Sequence, residues 1–204
     1  GLIPSKTWKK KYKGSSWHVG ETVQAGIGQG FVLTTPLQLA VMMSRLVNGG
    51  RAVLPSITRH LVPYSKKPKK IIPPKSFKSL AINEAHLNLI NIAMADVSNS
   101  PRGTAYKARI KKRGYSMGGK TGTVQVRRIS ELEREKGVLK NQELEWHERD
   151  HAIFIGYAPL HAPRYAVSVV VEHGGSGGST AAPIARDILL ELRDQYSAQS
   201  LNDG

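Results

Sequence analysis

The residues of this chain with the clearest chemistry fall in one stretch, Gly118-Gly119-Lys120-Thr121-Gly122-Thr123. Lys120 supplies a fixed positive charge, and Thr121 and Thr123 supply hydroxyls that can donate to an anion. Gly118, Gly119 and Gly122 let backbone come close to a ligand, because no Cβ intervenes. The stretch runs on as Val124-Gln125-Val126, apolar and polar in alternation, which predicts a strand over Lys120–Val126. The chemistry expected is recognition of an anionic group at the start of that strand.

Two other patterns compete for attention. Gly114 to Thr121 fits G-x-x-x-x-G-K-[ST], a phosphate loop, which needs a buried apolar strand before it and a helix after it. Lys107 to Arg113 is too charged for a central parallel strand, and Gly122 followed by Val124-Gln125-Val126 is poor at opening a helix. His147-Glu148-Arg149-Asp150-His151 fits H-E-x-x-H, in which one helix presents both histidines to zinc and the glutamate acts as base. Arg149 and Asp150 leave such a helix no apolar packing at the site, and His151 adjoins the strand-like run Ala152–Tyr157. On context, no metal site and no cofactor is expected.

The elements that must position the stretch come next. Thr35 is an expected helix cap, Pro36 suits the first helical position and Gln38 closes a capping box. Leu37, Ala40, Val41, Met43, Ser44 and Val47 continue a helical stripe that stops at Gly49-Gly50, with Met42 and Met43 as core filler. A second helix is predicted over Asn83–Val97, with Leu87, Ile90, Met94 and Val97 on its apolar face and His86 exposed. Arg51–Val62 has room for one or two strands, and Pro101–Thr104 is a break before a short helical turn. Ala152–Tyr157 and Tyr165–Val171 form an antiparallel pair. Glu172–Gly178 is a glycine-rich loop, and Ser179 or Thr180 caps a last helix with Ile184, Ile188 and Leu192 on one face. Gly1–Gly20 is expected to be irregular surface, 127–149 an exposed helical insert, and 197–204 a disordered polar tail. The sum is an α+β fold.

Composition narrows the partners. Thirty basic against 15 acidic residues give a net charge of +15 over 204 residues, which favours anionic partners. Trp8–Lys13 is the one basic patch interleaved with aromatics, and it reads as a solvated loop, as does Lys66–Lys70 between prolines; no nucleic-acid partner is expected. Cysteine is absent, which removes disulfides and thiolate metal sites. No run is apolar and long enough to cross a bilayer, and a start at Gly1 reads as a processed or cut piece.

Five separate stretches, in order, resemble one family. Gly26-Ile27-Gly28-Gln29-Gly30, Thr34–Ala40, Pro101–Thr104, Lys120–Thr123 and His151–Pro159 resemble class B penicillin-binding proteins. The charged insert and Glu172–Gly175 look most like the penicillin-binding protein 2 group, elongation transpeptidases of rod-shaped Gram-negative bacteria. The resemblance implies that residues 1–204 are the C-terminal part of one transpeptidase domain of serine β-lactamase-like fold, an antiparallel sheet flanked by helices. It implies a peptidoglycan D,D-transpeptidase at the periplasmic face of the inner membrane. Its partners would be stem peptides, β-lactams, the upstream part of the same polypeptide and cell-elongation proteins. By resemblance, Lys120 attracts a terminal carboxylate, the Thr121 and Thr123 hydroxyls bond it, Gly122 lets backbone approach, and the Thr123 N–H is half of an oxyanion hole.

Of the three motifs such enzymes carry, S-x-x-K, S-x-N and K-[ST]-G, only the third is in this chain. The nucleophile and middle motif are expected upstream, and the chain alone is expected not to be acylated by a penicillin. Two other classes stay open: an interaction module for anionic glycan or cell-wall partners, and a phosphate-loop NTPase.

Overall fold

The computed structural model describes residues 1–55, 60–61, 70–71, 76–77, 79–127 and 129–202. The chain divides into two compact units, Gly1–Leu39 and Ala40–Gly204.

In the first unit, α1 (Lys6–Lys13) is capped by Ser5, whose hydroxyl accepts from the Trp8 N–H, and closed by Gly14 at φ 66°. The expected irregular surface is therefore helical in part. Lys9 is buried, with its ammonium 2.5 Å from Glu21 and 2.6 Å from the Ser16 carbonyl. That ammonium, with the His18 N–H, holds the Glu21 carboxyl below its usual pKa. Glu21 lies in α2 (Val19–Gly26), and the His18 N–H donates to it at 2.7 Å. The patch read as a solvated loop is thus a helix with one lysine turned inward. α3 (Pro36–Val47) begins with the expected capping box, Gln38 N–H to the Thr35 hydroxyl at 3.2 Å and Thr35 N–H to the Gln38 side chain at 3.0 Å.

The second unit is built on one antiparallel sheet, β5 (Gly118–Val124), β6 (His151–Ala158) and β7 (Tyr165–Val171), in that order. Four two-residue strands precede it, β1 (Ala52–Val53) pairing with β4 (Ser76–Phe77) and β2 (His60–Leu61) with β3 (Lys70–Ile71). The loop expected over Lys66–Lys70 lies outside the described residues except for Lys70.

Helices cover both sheet faces. Phe154 and Val169, with Ala152, Ala158 and Val167, pack on Ala182, Ala185 and Leu189 of α6 (Ala182–Asn202) and on Ala181 just before it. The expected α6 stripe is corrected here, because Ile184 and Ile188 are exposed and the alanines are inside. The opposite face packs Tyr157 and Ile155 against Met43 of α3 and Met94 of α4 (Glu84–Asn99). Of the methionine pair, Met43 is core and Met42 is exposed. Asn83 caps α4, Leu87 is buried and His86 is exposed, as the pattern predicts, whereas Ile90 is exposed. The turn expected after Thr104 is a 3-10 turn at Tyr106–Ala108.

Three boundaries differ from expectation. β5 starts two residues early and stops at Val124. Among its described residues the 127–149 insert holds a single short helix, α5 (Glu131–Lys136), and two 3-10 turns. The last helix is preceded by a π-helical turn at Gly177–Ala181, flanked by Ser176 rather than capped by Ser179 or Thr180, and α6 continues through Asn202 where a polar tail is expected.

Candidate functional site

β5 is the edge strand of its sheet, bonded to β6 on one side with no strand on the other among the described residues. Its start is tied down by the end of α4. The Asn99 side-chain amide donates to the Ala95 carbonyl at 2.7 Å and to the Met117 carbonyl at 2.9 Å. Gly118 and Gly119 are buried at the start of the strand, and Cβ atoms there would strike Tyr157 and the Phe154 ring. The glycines are needed for close packing at this point.

The register decides which way the site residues face. Thr121 stands opposite Phe154 and Thr123 opposite Ala152, so both threonines share the α6 face. Lys120 stands opposite Ile155 and Gly122 opposite Ile153, on the face that packs α3 and α4. Lys120 is exposed, and its ammonium turns back to the Thr121 carbonyl at 2.7 Å. Thr121 is half-buried and its hydroxyl oxygen is 2.9 Å from that of Thr104. Gly122 is half-buried and Thr123 is exposed. The four residues expected to act together are therefore contiguous along one edge strand, with the lysine on one face and the two threonines on the other.

Two neighbours were not expected from sequence. Thr104 follows Gly103, where a Cβ would land on the Asp96 and Val97 carbonyls at the end of α4. Gly177 lies directly against the site strand, since a Cβ there would stand 2.6 Å from the Gly122 carbonyl oxygen and 3.1 Å from its nitrogen. The glycine-rich composition around 174–178 was the available signal for Gly177, and the Pro101–Thr104 break was that for Thr104.

The two rival motifs do not take their required shape. Lys120 and Thr121 sit inside a strand, not at the opening of a helix. His147 belongs to a 3-10 turn at Trp146–Glu148 while His151 begins β6, so no single helix face carries both. His151 instead accepts from the His173 N–H at 2.9 Å, and the His173 ring nitrogen is 3.0 Å from the Arg149 carbonyl. A cavity of about 410 Å³, lined by Lys140, Arg149, His173 and Ser176 among others, opens beside this pair.

Comparison with known proteins is consistent across sequence and structure. Residues 5–190 match the family model described as the penicillin binding protein transpeptidase domain. The chain is 34% identical over 202 residues to the peptidoglycan D,D-transpeptidase MrdA of Salmonella typhimurium, covering 95% of this chain and 30% of that protein. It is also 34% identical to MrdA of Haemophilus influenzae, over 98% of this chain and 29% of the relative. It thus spans about 30% of the length of the curated relatives it matches. Among solved structures, Pseudomonas aeruginosa PBP2 in complex with WCK 5153 superposes with a TM-score of 0.65 at 33% identity, over 91% of this chain and 36% of that one. The Helicobacter pylori PBP2 from its complex with MreC gives a TM-score of 0.71 at 28% identity, over 96% of this chain and 31% of that one.

Proposed function

The chain belongs to the penicillin-binding-protein transpeptidase family, and from that premise we propose that it is the C-terminal part of a peptidoglycan D,D-transpeptidase domain. The matched stretch runs through both compact units, which supports reading them as parts of one domain. The observation that carries the reading is an edge strand with Lys-Thr-Gly-Thr on it and an exposed lysine. An extended stem peptide can lie along such an edge by strand addition, with its terminal carboxylate at the lysine. The Lys120 ammonium attracts that carboxylate, the Thr121 and Thr123 hydroxyls bond it, and Gly122 keeps the cleft clear. A serine from the upstream part of the domain attacks the D-alanyl-D-alanine carbonyl, and the Thr123 N–H bonds the oxygen that becomes negative. The C–N bond then breaks, the terminal D-alanine leaves with the serine's proton on its nitrogen, and the acyl-enzyme ester remains; an amine of a second stem peptide attacks that ester, forming the cross-linking amide and returning a proton to the serine oxygen. β-Lactams bearing a carboxylate occupy the same edge.

By the same reading the protein works in elongation, at the periplasmic face of the inner membrane. The complex of Helicobacter pylori PBP2 with MreC supports an elongation-machinery partner. The test is Lys120→Ala in an intact transpeptidase domain containing this chain. Loss of a hydrogen bond to a charged group slows acylation by a fluorescent penicillin about 10- to 100-fold, with unfolding temperature kept. An unchanged acylation rate would remove Lys120 from the site.

A further inference from the structure

The 2.9 Å separation between the Thr104 and Thr121 hydroxyl oxygens admits one hydrogen, and either residue can supply it. Each hydroxyl has a single hydrogen to give. If Thr121 supplies it, the Thr121 oxygen has only lone pairs left to show an anion, which repels it. If Thr104 supplies it, the Thr121 hydrogen is free to point at the anion. Only the second arrangement serves the site proposed above.

From this we infer that Thr104 is a positioning residue of the anion site: its hydroxyl donates to Thr121 and so turns the single Thr121 hydrogen toward the substrate carboxylate. The inference rests on the transpeptidase reading and adds a residue to it. The surroundings hold Thr104 in place from both sides. Gly103 is pressed on the last turn of α4, and the Ala105 N–H donates to the Val97 carbonyl at 2.9 Å. From the other side Gly178 lies on the Thr104 carbonyl, so close that a Cβ there would strike it, while Thr121 Cγ2 would be 3.7 Å from that Cβ. The Thr104 loop, the site strand and the start of the last helix therefore meet at this hydroxyl pair. Thr104 itself is exposed, so the pair lies where a ligand can reach it.

The experiment measures the second-order rate of acylation by a fluorescent penicillin, which carries one carboxylate, in an intact transpeptidase domain containing this chain. Thr104→Val keeps the shape and removes the hydroxyl, and slows acylation about 2- to 12-fold, the loss of one ordinary hydrogen bond. Thr104→Ser restores the rate. In a Thr121→Val background, Thr104→Val has no further effect, because there is no hydrogen left to aim. A Thr104→Val rate equal to wild type, with Thr121→Val slow, overturns the inference and leaves the transpeptidase reading intact. An equal fractional loss from Thr104→Val in both backgrounds also overturns it, since the residue then acts only through packing. If Lys120→Ala and Thr121→Val both acylate at the wild-type rate, the anion site itself is wrong and the inference falls with it.

Discussion

Gly177→Ala adds one methyl group and moves two things that ordinarily are measured apart. Gly177 is buried at the start of the π-helical turn and does not use a left-handed backbone, so alanine is conformationally allowed there. Only space opposes it. The new Cβ would land on the Ile153 carbonyl oxygen, 2.6 Å from the Gly122 carbonyl oxygen and 3.1 Å from the Gly122 nitrogen. Gly122 and Ile153 are partners across β5 and β6, so every obstructing atom is backbone and no rotamer change relieves the clash. The start of the last helix cannot simply lift, because Ala181, Ala182 and Ala185 behind it are fully buried. Overpacking of this kind costs about 1–3 kcal/mol. For a domain of this size each kcal/mol lowers the unfolding temperature by about 2–4 °C, so a fall of roughly 2–12 °C is expected. Whatever shift relieves the clash is passed to Gly122, between Thr121 and Thr123. A misplacement approaching 1 Å in a catalytic site costs up to about 10²-fold, so acylation should fall along with stability. Thermal unfolding and fluorescent-penicillin labelling of an intact domain measure both. Gly20→Ala is the control, since its Cβ meets nothing and its helix gains stability from alanine. Gly177→Ala unfolding within about 1 °C of wild type and labelling at the wild-type rate would refute the reasoning.

Two further outcomes test the scaffold. The Arg127 guanidinium beside Glu133, with the backbone N–H groups of Leu139 and Ser130, holds the Glu133 carboxyl down at about 2 against an ordinary value of 4.5. Its folded pKa is depressed, so its contribution is complete above pH ~4.5 and is lost as pH falls toward 2; amide-exchange protection at Arg134 and Leu139 should fall over that window, and the same titration in Glu133→Gln would contradict the assignment. Leu189→Ala removes a fully buried side chain between α6 and the sheet, and should destabilise by about 2–5 kcal/mol in denaturant unfolding; a loss under 1 kcal/mol would mean that α6 does not carry the core.

What was legible in the sequence was what local physics determines. The Thr35–Gln38 capping box involves groups three residues apart, so no tertiary knowledge was needed, and both of its bonds form. The strand that carries Lys120–Thr123 could be read from the alternation, although it runs two residues earlier than that pattern places it. The α6 stripe failed for an instructive reason. Periodicity shows that a helix has an inner face, and hydrophobicity then assigns it to the largest side chains. Here the inner face holds Ala181, Ala182 and Ala185 together with Leu189, one position round the helix from Ile184 and Ile188, so large side chains alone point to the wrong face. α1 was missed because its inward residue is Lys9, which counts as polar in any pattern and is buried only because Glu21, twelve positions on in another helix, meets it. The contact of Thr104 with Thr121 was invisible, since Thr121 is brought to it by the path of the chain through the Tyr106–Ala108 turn and the Tyr115–Met117 core.

The edge position of β5 matters more than its composition. In a strand, neighbouring residues face opposite sides, so Lys120 and Thr121 cannot share a ligand above or below the sheet. In the proposed function, a carboxylate lying along that edge is the one group that both the cation and the hydroxyls would meet. Had β5 been central, the same Lys-Thr-Gly-Thr would have been split between two cores. The arrangement has a cost, because an unpaired strand edge also invites pairing with other strands. A lysine on that edge discourages such pairing by its charge, which a second neutral strand does not satisfy and a carboxylate does. On that proposal Lys120 has two tasks, drawing in the carboxylate and discouraging strand pairing at an edge that no other strand covers among the described residues.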